Sequence, residues 1–102
     1  MKLRKMPETR YRASRVCRIL GNPTAYQILR ILGYSFKSPS LLAAEIGVSV
    51  QTVSNTLHNL RNIDVVRYEP QLNQRKYWVK DSTVLCILDS LEIFVEHVRM
   101  QQ

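Results

Sequence analysis

Five side chains stand out for what they can do together. Gln51, Thr52, Asn55, His58 and Asn59 fall on one flank of residues 50–62 when these are projected at about 100° per residue, with Asn62 beside them. The other flank carries Val50, Val53, Leu57 and Leu60, the stripe of an amphipathic helix. A carboxamide holds a donor and an acceptor side by side, which matches adenine N6 and N7 in the major groove, and a threonine methyl suits that of thymine. The five are therefore expected to contact base edges. Gln51, Thr52 and Asn55 come first, because the start of a recognition helix reaches deepest. An ordinary surface helix would carry more Lys and Glu, although amide-rich faces also occur without such a task.

A second set suits phosphates. Arg61, Arg67, Arg75 and Lys76 supply cations, and Ser38, Ser40, Ser49 and Ser54 supply hydroxyls near predicted helix starts. Arg67, Arg75 and Lys76 fall on predicted strands, where charge would equally discourage edge pairing.

The elements that must hold these groups follow from spacing and punctuation. Ala43, Gly47, Val53 and Leu57, within Leu41–Leu60, have the spacing of two helices joined by a turn of about three or four residues, the helix-turn-helix. Ala43 is small where the helices cross, and Gly47 accepts the positive φ of a sharp turn. Ser38 before Pro39, and Ser49, are expected to cap the two helices. Upstream, one helix is predicted from Arg10 to Leu20, with Ala13, Val16, Cys17, Ile19 and Leu20 as its apolar positions. A second, capped by Asn22 before Pro23, is predicted to Leu32. Downstream, Val65, Val66 and Tyr68, then Tyr77, Trp78 and Val79, read as two short strands, with Glu69–Arg75 as the turn between them. A last helix is predicted over Thr83–Met100, capped by Asp81 or Ser82. The fold class is mainly α with a small β-hairpin: a winged helix-turn-helix of four helices, a two-stranded wing and a C-terminal dimerisation helix. Residues 1–9 are expected to be a flexible basic arm, and 10–102 the single domain.

The last helix carries more apolar surface than one small core uses. Ile87, Leu88, Leu91, Phe94, Val95 and Val98, with Val16 from the first helix, are assigned to a homodimer interface. A helix buried on two sides within one monomer is the alternative.

Charge supports this division. The chain has 102 residues and a net charge of +7, and residues 1–80 hold 14 Lys and Arg against 4 Asp and Glu. Residues 81–102 reverse the balance, with Arg99 alone against Asp81, Asp89, Glu92 and Glu96. A basic body beside an acidic end points to a polyanion partner, double-stranded DNA, and one element with another task. No apolar run is long enough to span a bilayer, and no apolar stretch follows the basic N-terminus, so neither a membrane partner nor a secretory signal is expected. With only Cys17 and Cys86 as thiols, a cytoplasmic protein is expected.

The sequence resembles the ArsR-type winged-helix repressors over roughly Arg10 to Val98. The resemblance rests on Arg18-Ile19-Leu20-Gly21-Asn22-Pro23-Thr24 followed by Ile28-Leu29-Arg30-Ile31-Leu32. It continues through Leu41-Leu42-Ala43, Val48-Ser49, Thr52-Val53-Ser54, Leu57 and Leu60-Arg61 to Arg75-Lys76-Tyr77-Trp78-Val79. It implies a homodimer joined by its first and last helices that binds a palindromic operator and represses transcription. Two positions depart from the pattern: Thr56 stands where the family has His, with His58 after Leu57 instead, and Asp64 stands in place of the usual Gly.

Many such repressors sense metals, but the third predicted helix has no Cys or His, and adjacent Glu96 and His97 diverge on a helix. No metal site and no cofactor are expected. Some relatives use a thiol pair as a redox switch, so Cys17 and Cys86 are a candidate redox pair; small core residues are the other reading. Two His, no Gly-rich phosphate loop and no carboxylate cluster argue against an enzyme. The expected function is a sequence-specific DNA-binding transcription regulator, a repressor acting as a homodimer. The alternatives are a protein-interaction module on the same fold, or a nonspecific architectural DNA binder. The residues identify no effector.

Overall fold

Three of the helices begin on side-chain caps. Asn22 Oδ1 accepts the N–H of Ala25 at 3.0 Å, Ser38 Oγ that of Leu41 at 3.3 Å, and Ser49 Oγ that of Thr52 at 3.0 Å. Pro23 and Pro39 occupy first-turn positions, where a missing N–H is harmless. The computed structural model describes residues 5–101. Their order is α1 (Glu8–Leu20), α2 (Pro23–Leu32), α3 (Pro39–Ile46), α4 (Val50–Asn62), β1 (Val66–Gln71), β2 (Gln74–Val79) and α5 (Thr83–Met100). The basic arm falls partly on residues 1–4, outside the described residues, and α1 starts at Glu8, two residues ahead of expectation. An acid in the first turn suits the helix dipole there.

The core forms around α2, which touches α1, α3, α4 and β2. Ile28, Leu29, Leu42, Val53, Leu57 and Leu60 are fully buried. Each such side chain contributes about 1.5–3 kcal/mol relative to exposure. The turn between α3 and α4 closes as expected: Gly47 lies at φ 86°, and its N–H donates to the Ala43 carbonyl at 2.8 Å. Asp64, in place of the pattern's glycine, adopts the left-handed conformation itself at φ 66°. Its carboxylate pairs with Lys80 and lies 3.7 Å from Arg67. Lys80 first, then Arg67 and Arg12, hold that carboxyl below the usual aspartate range.

The wing is longer than predicted. β1 and β2 pair antiparallel from Val66–Val79 to Gln71–Gln74, so the turn is only Leu72 and Asn73. Pro70 is compatible with pairing because β1 bonds on one edge only. On the other edge of β2, Lys37 exchanges two backbone hydrogen bonds with Tyr77, at 3.0 and 2.9 Å.

α5 docks through its first turns only. Val84, Leu85 and Leu88 are buried, and every residue from Asp89 to Met100 is exposed. Ser82, the N-cap residue, makes no side-chain cap bond, and the Asp81 carboxylate one residue ahead of it accepts the Thr83 N–H at 2.9 Å. Arg30 on α2 meets Asp89 and Glu92 at 2.7 Å each, and the Tyr26 hydroxyl donates to Glu92 at 2.6 Å. Burial first, then Glu92, pushes the Tyr26 pKa up. Leu88 is a correction to the expected dimer interface: it is 0% exposed in the single chain and belongs to the core. Val16 is half-buried, whereas Ile87, Leu91, Phe94, Val95 and Val98 remain exposed.

Candidate nucleic-acid interface

α4 separates its two flanks as the sequence implies, except that Val50, expected in the apolar stripe, stays 48% exposed at the start of the helix. Val53, Leu57 and Leu60 are fully buried, while Gln51, Thr52, Asn55, His58 and Asn59 are exposed. The exposed amides are joined: Gln51 Nε2 donates to Asn55 Oδ1 at 2.9 Å. This leaves the Gln51 carbonyl, the second Gln51 amide hydrogen and both Asn55 amide hydrogens available on the exposed face. Thr52 and Ser49 share a hydroxyl–hydroxyl bond of 2.8 Å at the helix start, which fixes the first turn. Thr56, at the pattern's His position, is half-buried and donates to the Thr52 carbonyl at 2.8 Å.

Beside this face runs a groove of about 350 Å³ between the start of α3, α4 and the wing. Ser40, Ser54, His58, Arg61, Gln74 and Arg75 supply its polar lining. Four of the expected phosphate contacts, Ser40, Ser54, Arg61 and Arg75, therefore converge on one channel. Ser49 stands at the exposed start of α4. Arg67 and Lys76 do not join the channel. The register sets Tyr68 opposite Tyr77 and Pro70 opposite Arg75, on the face towards α4. Arg67 opposite Trp78 and Glu69 opposite Lys76 take the other face, where Phe36 stacks on Trp78 at 5.0 Å.

Ser38 needs correction. It is only 2% exposed and its hydroxyl is spent on the α3 cap, so it cannot reach a phosphate. Cys17 and Cys86 are both free and exposed, which rules out the small-core-residue reading of these thiols. Among the described residues, no three His, Cys, Asp or Glu side chains are grouped as metal ligands. Also among the described residues, no helix is long and apolar enough to cross a membrane.

Sequence reasoning missed Tyr68. Its ring lies 4.4 Å from the Arg75 guanidinium and 4.9 Å from that of Arg61, and 5.2 Å from the Tyr77 ring. The Tyr77 hydroxyl, followed by that of Tyr68, raises the Arg75 pKa. The signal was the strand alternation itself, which was hidden by reading Glu69–Arg75 as a turn.

No protein-family model matches the sequence, and no curated protein does. Solved structures match the fold. The chain is similar to Rv0081 from Mycobacterium tuberculosis, with a TM-score of 0.82 at 20% identity over 95% of this chain and 97% of that one. It is similar to the homodimeric winged helix-turn-helix DNA-binding domain of Mb0332 from Mycobacterium bovis, a possible ArsR-family transcriptional regulator. Here the TM-score is 0.81 at 17% identity, over 100% and 96% of the two chains. The transcriptional repressor BigR from Xylella fastidiosa gives 0.77 at 18% identity, over 85% and 89%. The fold expected from the residues, a winged helix-turn-helix, is thus the fold of this chain.

Proposed function

We propose that the chain is a transcription regulator, a repressor, that binds double-stranded DNA in a sequence-specific manner as a homodimer. One observation carries the reading: an exposed amide and hydroxyl face on α4 lies beside a groove lined by Arg61 and Arg75. In this reading α4 enters the major groove, and Gln51, Thr52 and Asn55 meet base edges, with His58 and Asn59 further along. Ser40, Ser49, Ser54, Arg61 and Arg75 hold the phosphates beside it. Arg67 and Lys76, on the outer face of the wing, add charge to the approach. The chain is no enzyme and works in the cytoplasm.

The dimer follows from α5. Ile87, Leu91, Phe94, Val95 and Val98 are exposed together on a helix in which every residue from Asp89 to Met100 is exposed. A second copy would cover this surface, with Val16 at its edge, and set two α4 helices about 34 Å apart for two half-sites one turn apart. The homodimeric DNA-binding domain and the repressor among the fold neighbours support both parts. Repression would come from occlusion of a promoter.

Selection of bound fragments from a random duplex library, followed by footprinting, tests the reading. A palindromic sequence should emerge with strongly salt-dependent affinity. Equal, weak affinity for every duplex would instead fit an architectural binder and refute specific regulation.

A further inference from the structure

Five of the thirteen Lys and Arg side chains among the described residues have a carboxylate within 4.0 Å. Arg30 meets Asp89 and Glu92, Lys37 meets Glu45, Arg67 and Lys80 meet Asp64, and Arg99 meets Glu96. Arg61 and Arg75 have none within 4.0 Å among the described residues; both are gathered on the Tyr68 ring instead. The difference matters physically. A carboxylate that fixes an arginine also cancels its charge, whereas an aromatic face restrains the guanidinium and leaves the charge available. Tyr68 is itself well placed for this. It is half-buried on β1 and packs on Tyr77, which is 4% exposed and part of the core. The ring therefore couples the last turn of α4 to the second strand of the wing, the two walls of the groove.

We propose that Tyr68 is a positioning residue for DNA binding: its ring holds Arg61 and Arg75 so that both cations face the same stretch of phosphate backbone. This rests on the duplex-binding reading above. An exposed arginine loses side-chain freedom when it engages a phosphate. Stacking on Tyr68 removes part of that freedom before the duplex arrives. The ring thus adds affinity without reading sequence, and touches no base itself.

The test compares the full-length wild type with Tyr68→Phe and Tyr68→Leu. Each is titrated, by fluorescence anisotropy, with a duplex from the library selection and an unrelated duplex of equal length. Tyr68→Leu should bind both duplexes at least about fivefold more weakly, by the same factor, since two cation–ring contacts are lost. Tyr68→Phe, which keeps the ring, should bind as the wild type does. Adding Arg75→Gln should cost less in the Leu variant than in the wild type. The Nε–H resonances of Arg61 and Arg75 should carry ring-current shifts in the wild type and the Phe variant.

Equal binding by a folded Leu variant and the wild type would overturn the proposal. So would a Phe variant as weak as the Leu variant, which would assign the effect to the hydroxyl. Arginine resonances without ring-current shifts in the wild type overturn it even if the Leu variant does not fold. A wild type that binds no duplex at all is a different failure, because it removes the functional reading on which the proposal stands.

Discussion

Replacing Asn55 with Ala separates base recognition from everything else the chain does. Asn55 is exposed, and among the described residues its side chain hydrogen-bonds only to Gln51, at 2.9 Å, so the fold loses no buried contact. Alanine is also the better helix former, by up to about 0.7 kcal/mol, so the melting temperature should hold or rise slightly. Binding should respond differently. One bidentate amide–base contact is worth about 1–3 kcal/mol of discrimination. A homodimer makes the contact twice, so the preference for the selected duplex should fall by about 2–6 kcal/mol, from about 30-fold to about 10⁴-fold. Because Gln51 loses its partner at the same time, Gln51→Ala in the Asn55→Ala background should cost much less than it does alone. Anisotropy titrations against selected and scrambled duplexes at two salt concentrations give the ratio, and thermal melts give the control. An Asn55→Ala chain that keeps its preference, or that weakens on both duplexes equally, would refute the role of this face.

Arg75→Ala should weaken all duplexes alike and lower the salt slope by about two for a dimer, read from binding between low and moderate salt. Leu91→Glu places a charge in the exposed face of α5, so light scattering should show monomers, and duplex affinity should fall without loss of helical signal. The Tyr26 hydroxyl, then Arg30, holds the Glu92 carboxyl below its usual range. Its contribution is therefore complete above the unfolded pKa and lost as pH falls through the folded one, so melting should drop on acidification less in Glu92→Gln than in the wild type. Leu72, fully exposed at the wing tip with φ 50°, sits where glycine is unstrained, so Leu72→Gly should raise stability by up to about 1 kcal/mol in denaturant melts.

What the sequence made legible is what short-range rules control. Caps at Asn22, Ser38 and Ser49, the turn at Gly47 and the split of α4 into an apolar and an amide flank all depend on neighbours within four residues or so, and all stand in the structure. Ser38 shows the limit of such rules. The same residue type suits a cap and a phosphate contact, and only burial separates them. Leu88 shows it again: an apolar stripe on α5 does not reveal where the core stops and the free face begins. The wing was least legible, because Glu69–Arg75 is polar apart from Pro70 and Leu72, and its pairing is imposed by β2 rather than by its own pattern. The Arg30 cluster with Asp89, Glu92 and Tyr26 joins residues about sixty positions apart, beyond any local signal.

Burial divides the molecule's polar chemistry in a way that bears on how the proposed interface works. The amide pair on α4 sits on a helix anchored by three fully buried side chains, Val53, Leu57 and Leu60, so its geometry is as rigid as the core. The wing strands beyond Tyr68 and Tyr77 are exposed except at half-buried Lys76. Base recognition needs directional hydrogen bonds within a few tenths of an ångström, whereas a cation tolerates a looser approach to phosphate. The rigid element therefore carries the groups that read, and the compliant one the groups that attract. Arg61 and Arg75 lie at the boundary between the two, on the Tyr68 ring. That is where movement of the wing against α4 would otherwise separate the two cations, and it makes the ring the most informative single position to change.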